Sequence, residues 1–259
     1  MNIGLVLSGG GVRGVAHIGA IKALEEAGIY PTHISGTSAG AIVGSLYAAG
    51  LGWEEMLHFF KTVPIFKTSK FTFKKPGFID TEKLADEFKS FFPIDDFNSL
   101  QKRLFVAATN IETGKLKIFS AGELIKPILA SASFPGVFTP VTIDKSHYID
   151  GGVLNNFPTE PLKGICPSIF GVYVNPLKPI KVKSLKHSYS VLERAYKIMA
   201  ESHSIAKFSD CNLVISPEEL ISFGTFNMKS MDAIFNLGYT STKEELANNA
   251  SRLTEIIKG

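Results

Sequence analysis

Ile3-Gly4-Leu5-Val6-Leu7-Ser8-Gly9-Gly10-Gly11-Val12-Arg13-Gly14 opens with a short uncharged apolar run and stops on three glycines. A run of that length, bounded by glycine, reads as a buried strand. From about residue 12 to 27 the apolar residues Val15, Ile18, Ile21 and Leu24 return at helical spacing, and Gly28 closes the segment. His33-Ile34-Ser35 reads as a second short strand. Residues 38–49 read as a second helix, closed by Gly50. Strand, helix and strand in so little chain imply a right-handed crossover and a parallel sheet, hence an α/β fold.

Outward from this unit the rhythm breaks and then resumes. Residues 53–97 hold 10 of the 20 phenylalanines and fit neither period cleanly. Strands are expected at 103–109, 116–119, 147–149, 168–174 and 212–215. Helices are expected at about 123–132, 187–208 and 228–257. No repeat, low-complexity tract or linker divides the chain, so one domain over 1–259 is the simplest reading, with its motifs within about 3–175.

The composition is that of a packed globular protein: 45% hydrophobic and 20% charged. The 27 basic and 24 acidic residues nearly cancel, to a net charge of +3, which argues against a nucleic-acid partner. Cys166 and Cys211 form no C-x-x-C pattern and read as two free thiols in a reducing compartment. No signal peptide and no membrane span is apparent, so a cytoplasmic location is expected, with contact to a membrane only from outside.

Three constellations carry chemistry. Gly36-Thr37-Ser38-Ala39-Gly40 places a serine between a strand and a helix, flanked at two positions either side by glycine. A sharp strand-to-helix turn needs small residues there, and it presents the hydroxyl at the helix's positive end. The bland alternative is a small-residue turn with Ser38 as an N-cap. Gly9-Gly10-Gly11, with Arg13 and Gly14, leaves backbone N–H groups uncovered at a helix start, an anion cradle suited to an oxyanion. The same residues fit G-x-G-x-x-G, but a dinucleotide site wants an acid at the end of the second strand. Here that strand runs into Ser35-Gly36-Thr37-Ser38. Asp150-Gly151-Gly152 follows the strand at 147–149 and holds a carboxylate on a tight turn. Alone it is first of all a turn signal.

In that order, and with Ala130-Ser131-Ala132-Ser133-Phe134-Pro135 fitting A-S-x-x-x-P, the four blocks resemble the bacterial patatin-like phospholipases. The resemblance implies a three-layer α/β/α sandwich with a largely parallel central sheet. It also implies hydrolysis of lipid acyl esters, phospholipid or lysophospholipid, without metal or cofactor. The nucleophile would be Ser38 and the base Asp150. Gly9, Gly10 and Gly11 would form the oxyanion hole, with Arg13, Gly36, Gly40, Gly151 and Gly152 in support. His187 and His203 follow Asp150 in the order of an ordinary triad, but both fall in a helix of mixed polarity. His17 lies one turn past the glycine loop, near the site or simply packed. A reading from a different class is a non-catalytic module that binds an anionic headgroup or nucleotide on the glycine loop.

The phenylalanine-rich stretch leaves two readings open. Between Met56 and Ile79 stand Lys61, Lys67, Lys70, Lys74 and Lys75 and no acid. Aromatic groups interleaved with cations suit an anionic bilayer surface, which makes residues 57–92 a candidate peripheral membrane contact. Phenylalanines filling a core, with lysines on the wet face, give the same pattern.

Overall fold

A computed structural model describes residues 1–63, 81–185, 187–225, 227–251 and 253. In chain order the strands are β1 (Ile3–Leu7), β2 (His33–Thr37), β3 (Arg103–Asn110), β4 (Lys115–Phe119), β5 (Val141–Ile143), β6 (Ser146–Asp150), β7 (Ser168–Val172) and β8 (Leu213–Ile215). The helices are α1 (Val15–Glu26), α2 (Ala39–Ala48), α3 (Trp53–Thr62), α4 (Thr81–Lys89), α5 (Ile125–Ser131), α6 (Ser188–Ile205) and α7 (Met231–Asn248). The first helix starts later than its periodicity suggests, because Gly11–Gly14 forms a tight 3-10 turn of its own.

The strands form one eight-stranded sheet with hydrogen-bonded order β5-β6-β3-β2-β1-β7-β8, and β4 also on β3. From β3 through β8 the pairing is parallel, as the crossover argument requires. The antiparallel additions β4, β5 and β6 make the whole sheet mixed. Along β1 the side chains alternate between two cores. Leu5 and Leu7 join the larger one with α1 and α2, and Val6 joins Phe157, Leu162 and Tyr173 on the other face. Covering both faces is what keeps a parallel sheet dry, and it gives the three layers of an α/β/α sandwich.

The register of β3 sets up the site. Its residues Arg103–Ala107 pair with His33–Thr37, and Ala108–Asn110 pair with Tyr148–Asp150 in the opposite sense. Val106–Asn110 also pair with β4. A strand has only two edges, so β2 and β6 lie in line along the edge opposite β4. Their C-terminal ends meet head to head, Thr37 beside Ala107 and Asp150 beside Ala108.

Elsewhere, α7 lies against α1 at a glycine seam. A Cβ on Gly19 would stand 2.1 Å from the Phe235 carbonyl oxygen, and one on Gly238 2.0 Å from that of Ala16. The aromatic stretch contributes α3 and α4, both amphipathic. Phe59, Phe60, Phe88, Phe92 and Phe97 are buried, and Phe59 meets Phe88 and Phe91 edge-on at 5.2 and 4.8 Å. Lys61 pairs with Asp232 at 2.6 Å. These residues follow the core reading. Phe66, Phe71, Phe73 and Phe78, with Lys67, Lys70, Lys74 and Lys75, lie outside the described residues. Cys166 and Cys211 are free thiols. Among the described residues no helix is long and apolar enough to cross a membrane.

Candidate active site

Between Thr37 at the end of β2 and Ala39 at the start of α2, one residue makes the turn. Ser38 sits at φ 54° and ψ −123°, a conformation that side-chain-bearing residues rarely adopt. The flanking glycines leave no room for more: a Cβ on Gly36 would lie 2.6 Å from the Gly40 carbonyl, and one on Gly40 2.2 Å from the Leu7 oxygen. Ser38 is therefore the strained turn itself, not an ordinary N-cap, and its side chain caps no N–H of α2.

The A-S-x-x-x-P block anchors both chemical residues. Ser131 Oγ accepts the Ser38 N–H at 2.9 Å and donates to the Ala107 carbonyl at 2.6 Å. Two residues on, the Ser133 carbonyl accepts the Asp150 N–H at 3.0 Å. Asp150 is 2% exposed. Its carboxylate accepts the Gly152 N–H at 2.7 Å and has the Ser38 hydroxyl as a near neighbour. Burial pushes its pKa up to about 7, against the opposing pull of those two groups. Gly151 and Gly152 are needed for space. A Cβ on the first would strike the Ala107 oxygen at 2.2 Å, and one on the second the Tyr196 hydroxyl at 2.4 Å.

The glycine loop offers fewer donors than its sequence suggests. The Gly9 N–H is donated to the Asn156 carbonyl at 3.2 Å, so it is not available to a ligand. The Val12 N–H goes to the Thr225 carbonyl at 2.9 Å. Between them, the Gly10 and Gly11 N–H groups have no hydrogen-bond partner among the described residues. Gly11 adopts φ 60°, which favours glycine, and a Cβ there would meet the Thr225 oxygen at 2.3 Å. Gly10 is extended at φ 169°, and its constraint is Val174, 2.5 Å from where a Cβ would stand. Arg13 is buried and donates from Nε to the Phe223 carbonyl at 2.8 Å. Burial lowers its pKa and the nearby Glu193 opposes the shift. Arg13 thus ties the loop to residues 223–225.

Histidine takes no part in this cluster. His17 is fully buried with Nε2 on the Ser8 carbonyl at 2.8 Å, and burial pulls its pKa down to about 4, so it is a neutral packing group below the loop. His187 precedes α6 without a side-chain capping bond, and His203 is exposed on that helix.

Ser38, Asp150, Gly10 and Gly11 share a pocket of about 500 Å³, its open mouth included. Ala132, Phe134 and Phe138 give one apolar wall, and Glu193, Tyr196 and Lys197 of α6 lie across it. The pocket also holds a group that the motifs did not single out. Asn156 is buried at its edge, and its Nδ2 has no hydrogen-bond partner among the described residues. A polar pair, Asn155-Asn156, directly ahead of Phe157-Pro158 is the signal that could have found it. Tyr196 and the α6 wall come from distant sequence and carry no local signal. Among the described residues, no group of three histidines, cysteines or carboxylates is placed to hold a metal ion.

The model of the patatin-like phospholipase family matches residues 5–163, which span the glycine loop, the elbow and Asp150. The chain belongs to the patatin-like phospholipase family. An uncharacterised NTE family protein of Mycobacterium tuberculosis is 34% identical over 166 residues, covering 63% of this chain and 46% of that protein. A protein named lysophospholipase NTE1 from Yarrowia lipolytica is 31% identical over 176 residues, 62% of this chain and 12% of its own length. This patatin-like chain therefore spans less than half the length of these relatives. Among solved structures, VipD from Legionella pneumophila superimposes with a TM-score of 0.58 at 17% identity, over 95% of this chain and 67% of that one. At that identity the likeness is one of fold.

Proposed function

We propose that the protein hydrolyses carboxylic esters of lipids, with Ser38 as nucleophile and Asp150 as its general base. The substrate class would be a phospholipid or lysophospholipid met at the surface of an aggregate, in the cytoplasm. One observation carries the reading: a serine strained at a strand-to-helix turn lies in the same pocket as a buried carboxylate whose pKa is raised to about 7.

The chemistry follows from these groups. Ser38 Oγ attacks the acyl carbon as its proton passes to Asp150. The carbonyl oxygen becomes an anion facing the Gly10 and Gly11 N–H groups, with the spare Asn156 Nδ2–H in reach of the same pocket. A preorganised donor of this kind is worth about 3 kcal/mol of barrier. The intermediate collapses, the alcohol leaves with the proton held on Asp150, and an acyl group remains on Ser38. Asp150 then takes a proton from water, which attacks the acyl carbon; the Ser38 Oγ–acyl bond breaks as Asp150 returns that proton to Ser38, and the fatty acid is released. Ser131 and Ser133 fix both reacting side chains through backbone N–H groups, so the pair needs no orienting histidine.

The test is covalent. A fluorophosphonate should label the wild type at Ser38, and Ser38→Ala should lose both labelling and turnover of a p-nitrophenyl ester with its fold intact. A folded protein that is never labelled would instead support the anion-binding module.

A further inference from the structure

Helix α6 is inside out. Its charged residues Glu193, Arg194, Lys197 and Glu201 are all partly buried and engaged. Lys197 pairs with Glu193 at 2.7 Å, and Thr225 Oγ1 donates to Glu193 at 3.0 Å. Arg194 donates to the Lys178 carbonyl, and the Leu177 N–H donates to Glu201, both at 2.8 Å. The face turned to water is largely apolar instead: Val191, Leu192, Ile198, Met199 and Ile205, with Leu192 at 69% and Ile198 at 51% exposure, interrupted by Ser188, Ser202 and His203. The apolar positions recur at seven-residue spacing and so form one stripe. Isolated exposed apolar side chains are ordinary on any surface, but a stripe with the charges turned inward calls for a partner.

The neighbouring segment indicates which partner. From Pro176 to Leu192 the sequence has Lys178, Lys181, Lys183 and Lys186 and no acid. Ile180 and Val182 between the lysines are also exposed, Val182 at 81%. The inner side of the same helix supplies Glu193, Tyr196 and Lys197 to the pocket. A surface that is largely apolar, fringed by cations and carried by a helix whose other side lines a pocket for lipid esters matches an anionic bilayer in each respect.

We infer that the outer face of α6, with residues 178–183, is the surface on which this protein docks to anionic lipid membranes. The inference rests on the lipid-ester reading, and it moves the membrane contact from the aromatic stretch at 57–92, whose described phenylalanines are core. Docking through α6 brings the pocket that this helix lines close to the bilayer, which shortens an acyl chain's path through water.

The experiment uses the full chain carrying Ser38→Ala, so that vesicles are not consumed. It should sediment with phosphatidylcholine vesicles containing about one-third phosphatidylglycerol, and less so without the anionic lipid or at high salt. Leu192→Glu with Ile198→Glu should weaken that binding by roughly tenfold or more, since two exposed apolar side chains that docking would bury are replaced by charges. Val182→Asp, in the short 3-10 turn at residues 182–184 ahead of α6, should weaken it in the same direction. With Ser38 intact, all these variants should turn over a short soluble ester within about twofold of wild type, because none of the three residues lines the pocket. Unaltered sedimentation of both variants would overturn the inference. So would a dimer in solution that the double glutamate variant dissociates, because the stripe would then join two copies. A protein that binds vesicles but is never labelled by fluorophosphonate would sink the hydrolase reading alone; one that is labelled but ignores vesicles would sink the docking alone.

Discussion

In the proposed role of general base, Asp150 would couple activity to stability through one proton. Its pKa of about 7 in the folded chain stands well above the ordinary 3.8, chiefly because burial penalises the charged form. The unfolded chain therefore gives up this proton at lower pH than the folded one. Stability falls as pH rises between the two values, and the full cost, on the order of 4 kcal/mol, is present above pH 7. Ester turnover should climb with pH through a midpoint near 7, where the base becomes free. Asp150→Asn should lower turnover by roughly a hundredfold or more, the scale of a lost general base. The same variant should melt at higher temperature than wild type at pH 8, with the gap closing towards pH 5. A melting temperature at pH 8 equal to or below that of wild type would mean the carboxylate is not strained by its burial. The sequence alone displays Ser38 and Asp150 because each sits in a short spacing pattern. It does not reveal that the Gly9 N–H is spent on Asn156, nor that Asn156 keeps a free donor, since both depend on a contact across nearly the whole motif region.

Elements place those two residues, and here the strand β3 and the block after it matter most. β2 and β6 share one edge of β3, so Ser38 and Asp150 come together where two strand ends collide. Ser131 bridges that junction, from the Ser38 N–H to the Ala107 carbonyl. Ser131→Ala would leave both groups buried and unsatisfied, at a cost of about 1–3 kcal/mol in stability. It should also slow fluorophosphonate labelling by roughly tenfold, because the strained turn at Ser38 loses its support. Labelling at the wild-type rate in a folded Ser131→Ala protein would reduce the block to a packing role. The parallel strands and their helices are legible in sequence because each is a clean apolar run or a helical stripe between glycines. The three-residue β5 is too short for any period to register. α3 and α4 hide among phenylalanines because a helix that buries many aromatics and a membrane-facing segment share one composition. The inverted polarity of α6 is invisible for a related reason: its sequence is amphipathic either way, and only packing decides which face turns outward.

At the scale of the whole molecule, the site is completed from beyond the family's matched region. The match ends at residue 163, yet the pocket's far wall comes from Asn175, α6 and Thr225. The glycine loop is held from below by α1, through His17 on the Ser8 carbonyl, and α1 is in turn packed by α7. The closeness of that last packing depends on two residues without side chains, Gly19 and Gly238, each facing backbone of the opposite helix at a distance no Cβ tolerates. Backbone cannot swing aside as a side chain can, so a larger residue must push the helices apart. Gly238→Leu should therefore fall at the upper end of the overpacking range, about 3 kcal/mol. For a chain of this length that is a fall in melting temperature of roughly 6–12 °C. Asn236→Ala, exposed on the same helix, should change it little. Because α1 carries the loop, the Gly238 variant should also lose fluorophosphonate labelling at temperatures where wild type is still fully labelled. Were its melting temperature to stay within about 2 °C of wild type, well below the shift that overpacking implies, α7 would be an appendage rather than part of the frame that holds the loop in place.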